Sequence, residues 1–402
     1  MKSELFSSTV PMPRDGVAEP VWVSVVSLSD TTAEFARAWN AALADSEYPH
    51  IHQSYEWAQL FSQVGWVPQF FCIKINGQVV AGAVLLVKTF LRQILRVATI
   101  RSGPFWLVGF QHVLALLYAE LERWCRTHRI WLCRVAAPCP DNLRTSFRAL
   151  LPVGAYERAH AWSYWAPSRP VMTLDLRGTP EDVLKRMHPD TRTKVRRGPR
   201  RGIVIRQGTP RDLDAFLRLL DAMKRRKHVL VPPRDFLDML LRVIPQERVG
   251  LLIAEAAGHT VGGALVVSLG KRAWYLYGAY DHAARHLYPM ESLYLAMTEW
   301  ARARGCDQLD LGGTCTNWPP DPRDKGYGVY DFKRRFGAQS QLRVPYYDLA
   351  PHPLFHWASR AVEDVLLPLV VEEWHAKLPV ICRRLSSTAT PLRKGCATVR
   401  DS

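Results

Sequence analysis

The chain has 402 residues, 48% of them apolar and 22% charged, which suits one large or two ordinary domains and excludes a disordered chain. A net charge of +16 and a pI near 9.7 favour an anionic partner: nucleic acid, a phosphorylated substrate or anionic lipid. The plainer alternative is an Arg-rich composition without function. The N-terminus lacks a secretory apolar region and the longest apolar runs, 79–87 and 365–371, are too short to span a bilayer, so a soluble chain is expected. Eight cysteines without a Cys-x-x-Cys pair or zinc spacing predict reduced core thiols, a cytoplasmic setting and no metal site.

Residues 1–20, punctuated by Pro11, Pro13, Gly16 and Pro20, read as a flexible tail. A strand is expected over 21–28, then a helix to about 44 behind the caps Asp30, Thr31 and Thr32. Strands at 70–75 and 79–88 flank Asn76-Gly77, the strongest short-range hairpin signal. A helix over 113–128 and a buried strand over 130–136 follow. The second half repeats this order: a hairpin at 249–256 and 261–268 around Ala257-Gly258-His259, a helix over 289–304 and a strand over 308–311.

The halves also match in letters. "NGQVVAGAVLLV" (76–87) aligns with "AGHTVGGALVVS" (257–268), and "LYAELERWCR" (117–126) with "LYLAMTEWAR" (293–302), at offsets of 181 and 176 residues. Two matches in one order at nearly one offset predict a duplicated α/β unit with mixed sheets. The expected division is 21–165 for the first unit, 166–350 for the second, and 351–402 for a C-terminal helical extension and tail.

Within the second unit, 179–202 is strongly basic. Thr179 caps a helix with Pro180 at its first position, and a run follows that includes Arg192, Lys194, Arg196, Arg197, Arg200 and Arg201. A charge run is ordinarily a solvated helix face. Mutual repulsion of about 0.2–0.5 kcal/mol per like pair is better tolerated where phosphates neutralise it, so RNA-backbone contact is expected.

Several segments, in this order, resemble the FemABX family: "HQSYEWAQL" (52–60), "KVRRGPRRGIVIR" (194–206), "YGAYDHAARHLYPMESLYLAMTEWARARG" (277–305) and "LDLGG" (309–313) followed by "YDFKRRFG" (330–337). The resemblance implies two tandem GNAT-like domains. It also implies an aminoacyltransferase that moves an amino acid from aminoacyl-tRNA to an amine of a peptide acceptor, with the charged tRNA as co-substrate and no other cofactor. The acceptor would be a peptidoglycan precursor, lipid- or nucleotide-linked, or a peptide natural product. A lipid-linked acceptor would bring the chain to the inner membrane leaflet. Two positions depart from the family: Phe61 stands where a diphosphate-binding lysine is common, and no acid closely follows Gly103-Pro104.

Aminolysis of an ester needs no nucleophilic side chain, and neither a Gly-x-Ser-x-Gly elbow nor a Cys/His arrangement is found. It needs a cation for the oxyanion and the departing ribose oxygen. On the strength of the resemblance Lys333 is the candidate, the alternative being a surface lysine on a short basic helix with Arg334 and Arg335; Asp310 is a second catalytic candidate or a loop cap. Phe332 would wall the lysine stem, and Gly312 and Gly313 would admit the substrate backbone. Arg285, Tyr280 and Arg226 are candidate substrate-binding residues. Two rivals stay open: an acyl-CoA N-acyltransferase, disfavoured because Tyr288 and Met290 replace the glycines of a phosphate-binding turn, and a non-enzymatic RNA-binding protein.

Overall fold

The computed structural model describes residues 6–8, 21–90, 95–158, 170–227, 231–314, 318–324, 326–349 and 353–361. The first half contains β1 (Phe6–Ser8), β2 (Val21–Ser27), α1 (Ala33–Ala44), α2 (Tyr55–Gln63), β3 (Val67–Ile75), β4 (Gln78–Phe90), β5 (Leu95–Arg101), β6 (Phe105–Trp106), α3 (Leu114–Thr127), β7 (Ile130–Ala136), α4 (Arg144–Leu150) and β8 (Ala155–Arg158). The second runs β9 (Pro170–Asp175), α5 (Pro180–Arg186), α6 (Pro189–Arg200), β10 (Val204–Gln207), α7 (Leu213–Lys227), α8 (Arg234–Val243), β11 (Val249–Ala256), β12 (His259–Leu269), β13 (Arg272–Tyr280), α9 (Pro289–Arg302), β14 (Gln308–Gly313), α10 (Tyr327–Arg335) and β15 (Gln339–Leu342). β16 (Tyr346–Leu349) and α11 (Pro353–Arg360) close the described chain. Of the expected N-terminal tail, Phe6–Ser8 pairs with β2 as an edge strand.

The duplication is physical. In each half an antiparallel hairpin turns on two left-handed residues, Asn76 and Gly77 (φ 50° and 77°) and Ala257 and Gly258 (φ 49° and 76°). The second turn thus has two central residues, and His259 already belongs to β12. Each hairpin carries a register shift, at Ile73/Lys74 and at Ala254/Glu255, which are the same place in the repeat. A helix then crosses over to a parallel partner: α3 joins β5 to β7, and α9 joins β13 to β14.

The halves interlock because one late strand, β16, joins the first sheet. The first sheet is ordered β1-β2-β3-β4-β5-β7-β16-β8, with β6 on β4; the second is β10-β11-β12-β13-β14-β9-β15. β16, which the sequence division placed with the second unit, lies between β7 and β8 of the first. Buried charge fixes that choice. Arg134 on β7 donates to both oxygens of Asp348 on β16, at 2.7 and 2.9 Å, and Arg158 on β8 stands 3.9 Å away. Asp348 is fully buried, so only this strand order compensates it. In the second sheet β9 lies between β14 and β15.

Three apolar layers result. One lies under α3 and α4, with Leu117, Tyr118 and Phe147; another lies under α6, α9 and α10, with Leu293, Met297 and Phe336. The third joins the halves: Trp39, Trp57, Phe70 and Phe105 pack in one cluster with Phe216, Leu237, Leu240 and Trp274. Arg248 of the second half donates to Glu56 of the first at 2.7 Å, and Asn40 holds the same carboxylate. Among the described residues no helix is long and apolar enough to cross a membrane.

Candidate active site at the splayed end of the second sheet

β13 and β14 run parallel but pair only from Arg272–Gln308 to Trp274–Asp310. Beyond that point β13 follows β12 as far as Tyr280, while β14 stays with β9, which it pairs from Gln308 to Gly313 with a register shift after Asp310. The equivalent strands of the first half, β5 and β7, stay paired from Arg96–Ile130 to Arg101–Ala136. One copy of the unit is zipped and the other opens a wedge between two strand ends.

The wedge is where the sequence candidates meet. Gly312 takes φ +74°, a conformation that glycine adopts without strain. It exposes the end of β14 to α10, which supplies Lys333. Lys333 Nζ donates to the Leu311 carbonyl at 2.6 Å and the Gly313 carbonyl at 2.7 Å, while the Gly312 carbonyl stands at 3.5 Å. The side chain is only 4% exposed. Burial pushes its pKa down to about 8, against the nearby Asp310 carboxylate, which acts to raise it. An ammonium has three donors; two are committed at good geometry, and the third has only a carbonyl beyond ordinary hydrogen-bond length.

Asp310 is buried at the last β13-paired position. Its Oδ1 accepts from Gly312 N at 2.7 Å and its Oδ2 from Arg343 Nη2 at 3.0 Å. It therefore shapes the strand end, in the manner of the cap alternative. Phe332 and Phe336 pack 5.1 Å apart, and both lie against Tyr294 of α9, fixing the face of α10 that aims Lys333 inward.

The remaining candidates scatter. Tyr280 is half-buried at the end of β13 with the Arg226 guanidinium 5.7 Å from its ring, so those two form a pair on one wall. Arg285 is exposed and donates to His282 O within its own turn, and no described contact ties it to Lys333. The basic run divides at His188 into α5 and α6. Lys194, Arg196, Arg197 and Arg200 are exposed on α6 and Arg192 is half-buried. Arg201 is engaged structurally: it donates to the His286 carbonyl and stacks 4.8 Å over Tyr288.

Sequence reasoning passed over the residues that tie the wedge to the first half. Arg343 is buried and bridged to Pro140 through the backbone. Arg272 donates to the Pro49 carbonyl at 3.3 Å. His50 and His52 stack 4.4 Å apart, against Trp274 and Trp57 respectively, and His52 Nδ1 lies 3.3 Å from Ser102 Oγ. Desolvation holds both imidazoles well below the ordinary histidine pKa; His52 repels His50, and Arg101 and Arg343 lower both further. Arg101 sits 5.6 Å over the Phe61 ring, so a cation from β5 stands beside the position where the resemblance placed a lysine. The quoted "HQSYEWAQL" contained His52, but nothing in its spacing marked it.

Comparison with known proteins agrees with this geometry. Residues 185–334, which hold α6, the wedge and Lys333, match the family described as Acetyltransferase (GNAT) domain. The lipid II:glycine glycyltransferase of Staphylococcus saprophyticus is 33% identical over 102 residues, 25% of this chain and 24% of that protein. The enzyme of that name from Staphylococcus aureus is 30% identical over 99 residues. The match thus spans about a quarter of the length of these relatives. The crystal structure of FemX superposes with a TM-score of 0.73 at 16% identity, over 80% of this chain and 98% of that one. The C-terminal domain of a putative lysylphosphatidylglycerol synthetase from Agrobacterium fabrum shares the fold more distantly, with a TM-score of 0.50 at 12% identity, over 84% of this chain and 97% of that one. The ordered motifs, the local identity to glycyltransferases and the FemX-like tandem fold support the resemblance of this chain to the FemABX family.

Proposed function

We propose that the chain is an aminoacyltransferase. It moves an amino acid from aminoacyl-tRNA to an amino group of a peptidoglycan-precursor peptide, with a lipid-linked precursor as the acceptor. It works in the cytoplasm and meets the inner membrane leaflet through that acceptor. No cofactor beyond the charged tRNA is required. One observation carries the reading: Lys333 holds a buried ammonium where β13 and β14 part, with two short bonds to strand carbonyls and a third, long one of 3.5 Å to the Gly312 carbonyl.

The chemistry follows from that donor. The acceptor nitrogen attacks the ester carbonyl carbon, the C–N bond forms, and the C–O bond to the ribose breaks. The amine proton ends on the ribose hydroxyl. The N–H of Lys333 that is held only by the long contact to the Gly312 carbonyl would turn to the oxygen that carries negative charge during these steps. Fixed carbonyls around Nζ hold it in place, so little reorganisation accompanies the transition state. Removing one such donor costs about 2.7–4 kcal/mol of barrier in well-studied cases.

The acyl-CoA rival is opposed by packing at the start of α9. There Tyr288 is left-handed (φ 63°), Arg201 stacks on it, and α6 presses against the first turn with Gly198 facing Ser292. A pyrophosphate would need that space and its backbone amides.

The test is to charge bulk tRNA with radiolabelled amino acids and follow label into lipid-linked precursor. Transfer is expected to vanish with RNase and to fall about 100–1,000-fold in Lys333→Met. Transfer that survives RNase and requires CoA would overturn the reading.

A further inference from the structure

We propose that α11 is a lipid-contacting element: Leu354 and Trp357 enter a membrane interface while His356 pins the helix to the first sheet. A surface helix ordinarily turns its apolar side inward. Among the described side chains of α11 the buried one is His356 instead. Its ring stacks on Tyr156 of β8, with centroids 3.9 Å apart at 12°, and its Nδ1 stands 3.6 Å from Oδ2 of the buried Asp348. Ser359 Oγ donates to the His356 carbonyl at 2.9 Å. That anchoring turns the other side outward. Leu354 and Trp357 are each 72% exposed, and Ala358 is exposed beside them. The spacing i, i+3, i+4 puts all three on one face. Val153, in the turn that leads into β8, is a further exposed apolar side chain.

Size, composition and charge select a lipid surface over a protein partner. An indole offers about 150–250 Å². With one leucine and one alanine beside it, the strip falls short of the roughly 800 Å² per partner of a stable protein interface. Shallow insertion asks for less. A tryptophan next to a leucine suits the head-group level, where an aromatic ring lies between acyl chains and water. The chain carries a net charge of +16, α11 has no acidic residue, and the exposed Arg360 stands in its last turn, so an anionic leaflet attracts it. The inference deepens the proposed function, in which the chain meets the inner leaflet through a lipid-linked acceptor: here the chain itself touches lipid, with or without that acceptor.

The full-length chain would be floated with vesicles of phosphatidylglycerol and phosphatidylcholine that hold no precursor, with its Tm and oligomeric state measured alongside. Leu354→Ser/Trp357→Ser is expected to lower partition into the vesicles about tenfold or more, with Tm and oligomeric state as in the parent. Trp357→Phe is expected to keep most of the binding. Equal flotation of parent and serine variant, or no flotation of the parent, overturns the lipid contact. A fall in Tm in the serine variant would show that the chain's own residues cover the strip, and a dimer lost in that variant would place a second copy there; either result also overturns it. Flotation that depends on Leu354 and Trp357, in a chain without RNA-dependent transfer, would sink the proposed function and leave the lipid contact standing. RNA-dependent transfer by a chain that does not float would do the reverse.

Discussion

Arg343 Nη2 donates to Asp310 Oδ2 at 3.0 Å, with both side chains buried at the seam between the halves. This ion pair joins the strand that carries the Lys333 acceptors to the segment that leads back into the first sheet. Asp310 also holds Gly312 N, so the pair fixes where the carbonyls of Leu311 and Gly313 point. Asp310→Asn would keep one acceptor but turn an amide toward the guanidinium. Leaving a buried charge uncompensated costs about 3–5 kcal/mol. Urea unfolding should show that loss in Asp310→Asn and in Arg343→Met, and substantially less than their sum in the double variant. Additive losses would show that the two side chains do not act as a pair.

Matched glycines in the two hairpins supply a second prediction. A Cβ on Gly82 would lie 2.6 Å from the Trp39 ring, and one on Gly263 the same distance from Phe216. These positions are equivalent in the repeat, and each admits an aromatic ring from a helix into the shared core. Alanine at either is expected to cost about 1–3 kcal/mol by overpacking, with a similar fall in Tm for both. Alanine at Gly77 or Gly258 meets no neighbour within 4 Å, and its effect comes only from the positive φ.

The basic helix supports a third. Lys194, Arg196, Arg197 and Arg200 are exposed, so each replaced by Ala should reduce the slope of log affinity against log salt by about 0.7–0.9 for RNA. Arg201 differs, because it braces the turn before α9 through His286 and Tyr288. Arg201→Ala should lower Tm more than the others while changing the salt slope least. A uniform response of all five would mean that α6 is a plain electrostatic surface.

What could be read from the letters was what is local. Asn76-Gly77 marks a hairpin because two successive left-handed residues suit few other pairs, whereas the turn at Ala257-Gly258 was legible through the repeat, a comparison of letters. Lys333 and the glycines of β14 were legible through their motif. The insertion of β16 into the first sheet was not: Arg134 and Asp348 are 214 residues apart, and nothing in either neighbourhood announces a buried partner. Arg343, His50 and His52 escaped for the same reason, since their role comes from the closure of the two halves. The wedge was equally hidden. The zipped and splayed sheets come from similar strings, and the difference lies in where β14 parts from β13.

Lys333 gives the last prediction, through pH. Its pKa in the folded chain is about 8, against an ordinary lysine value of 10.5, because burial penalises the charged form. A donor to an oxyanion must be protonated, so kcat should fall as pH rises through about 8, where the strand carbonyls still hold the side chain in place. The sign for stability is opposite. Below about pH 8 the lysine is charged in both folded and unfolded chains and the burial penalty is fully present. Between about 8 and 10.5 the unfolded chain binds the extra proton, so this group adds stability as pH rises, by up to roughly 3 kcal/mol. Lys333→Met removes that pH-dependent gain, and the difference in unfolding free energy between parent and variant should therefore change across the window in the parent's favour. A difference that stays flat from pH 7 to 10.5, together with a transfer rate whose alkaline limb does not begin near 8, would show that Lys333 titrates as an ordinary solvated lysine and that its enclosure by β14 has no part in the chemistry.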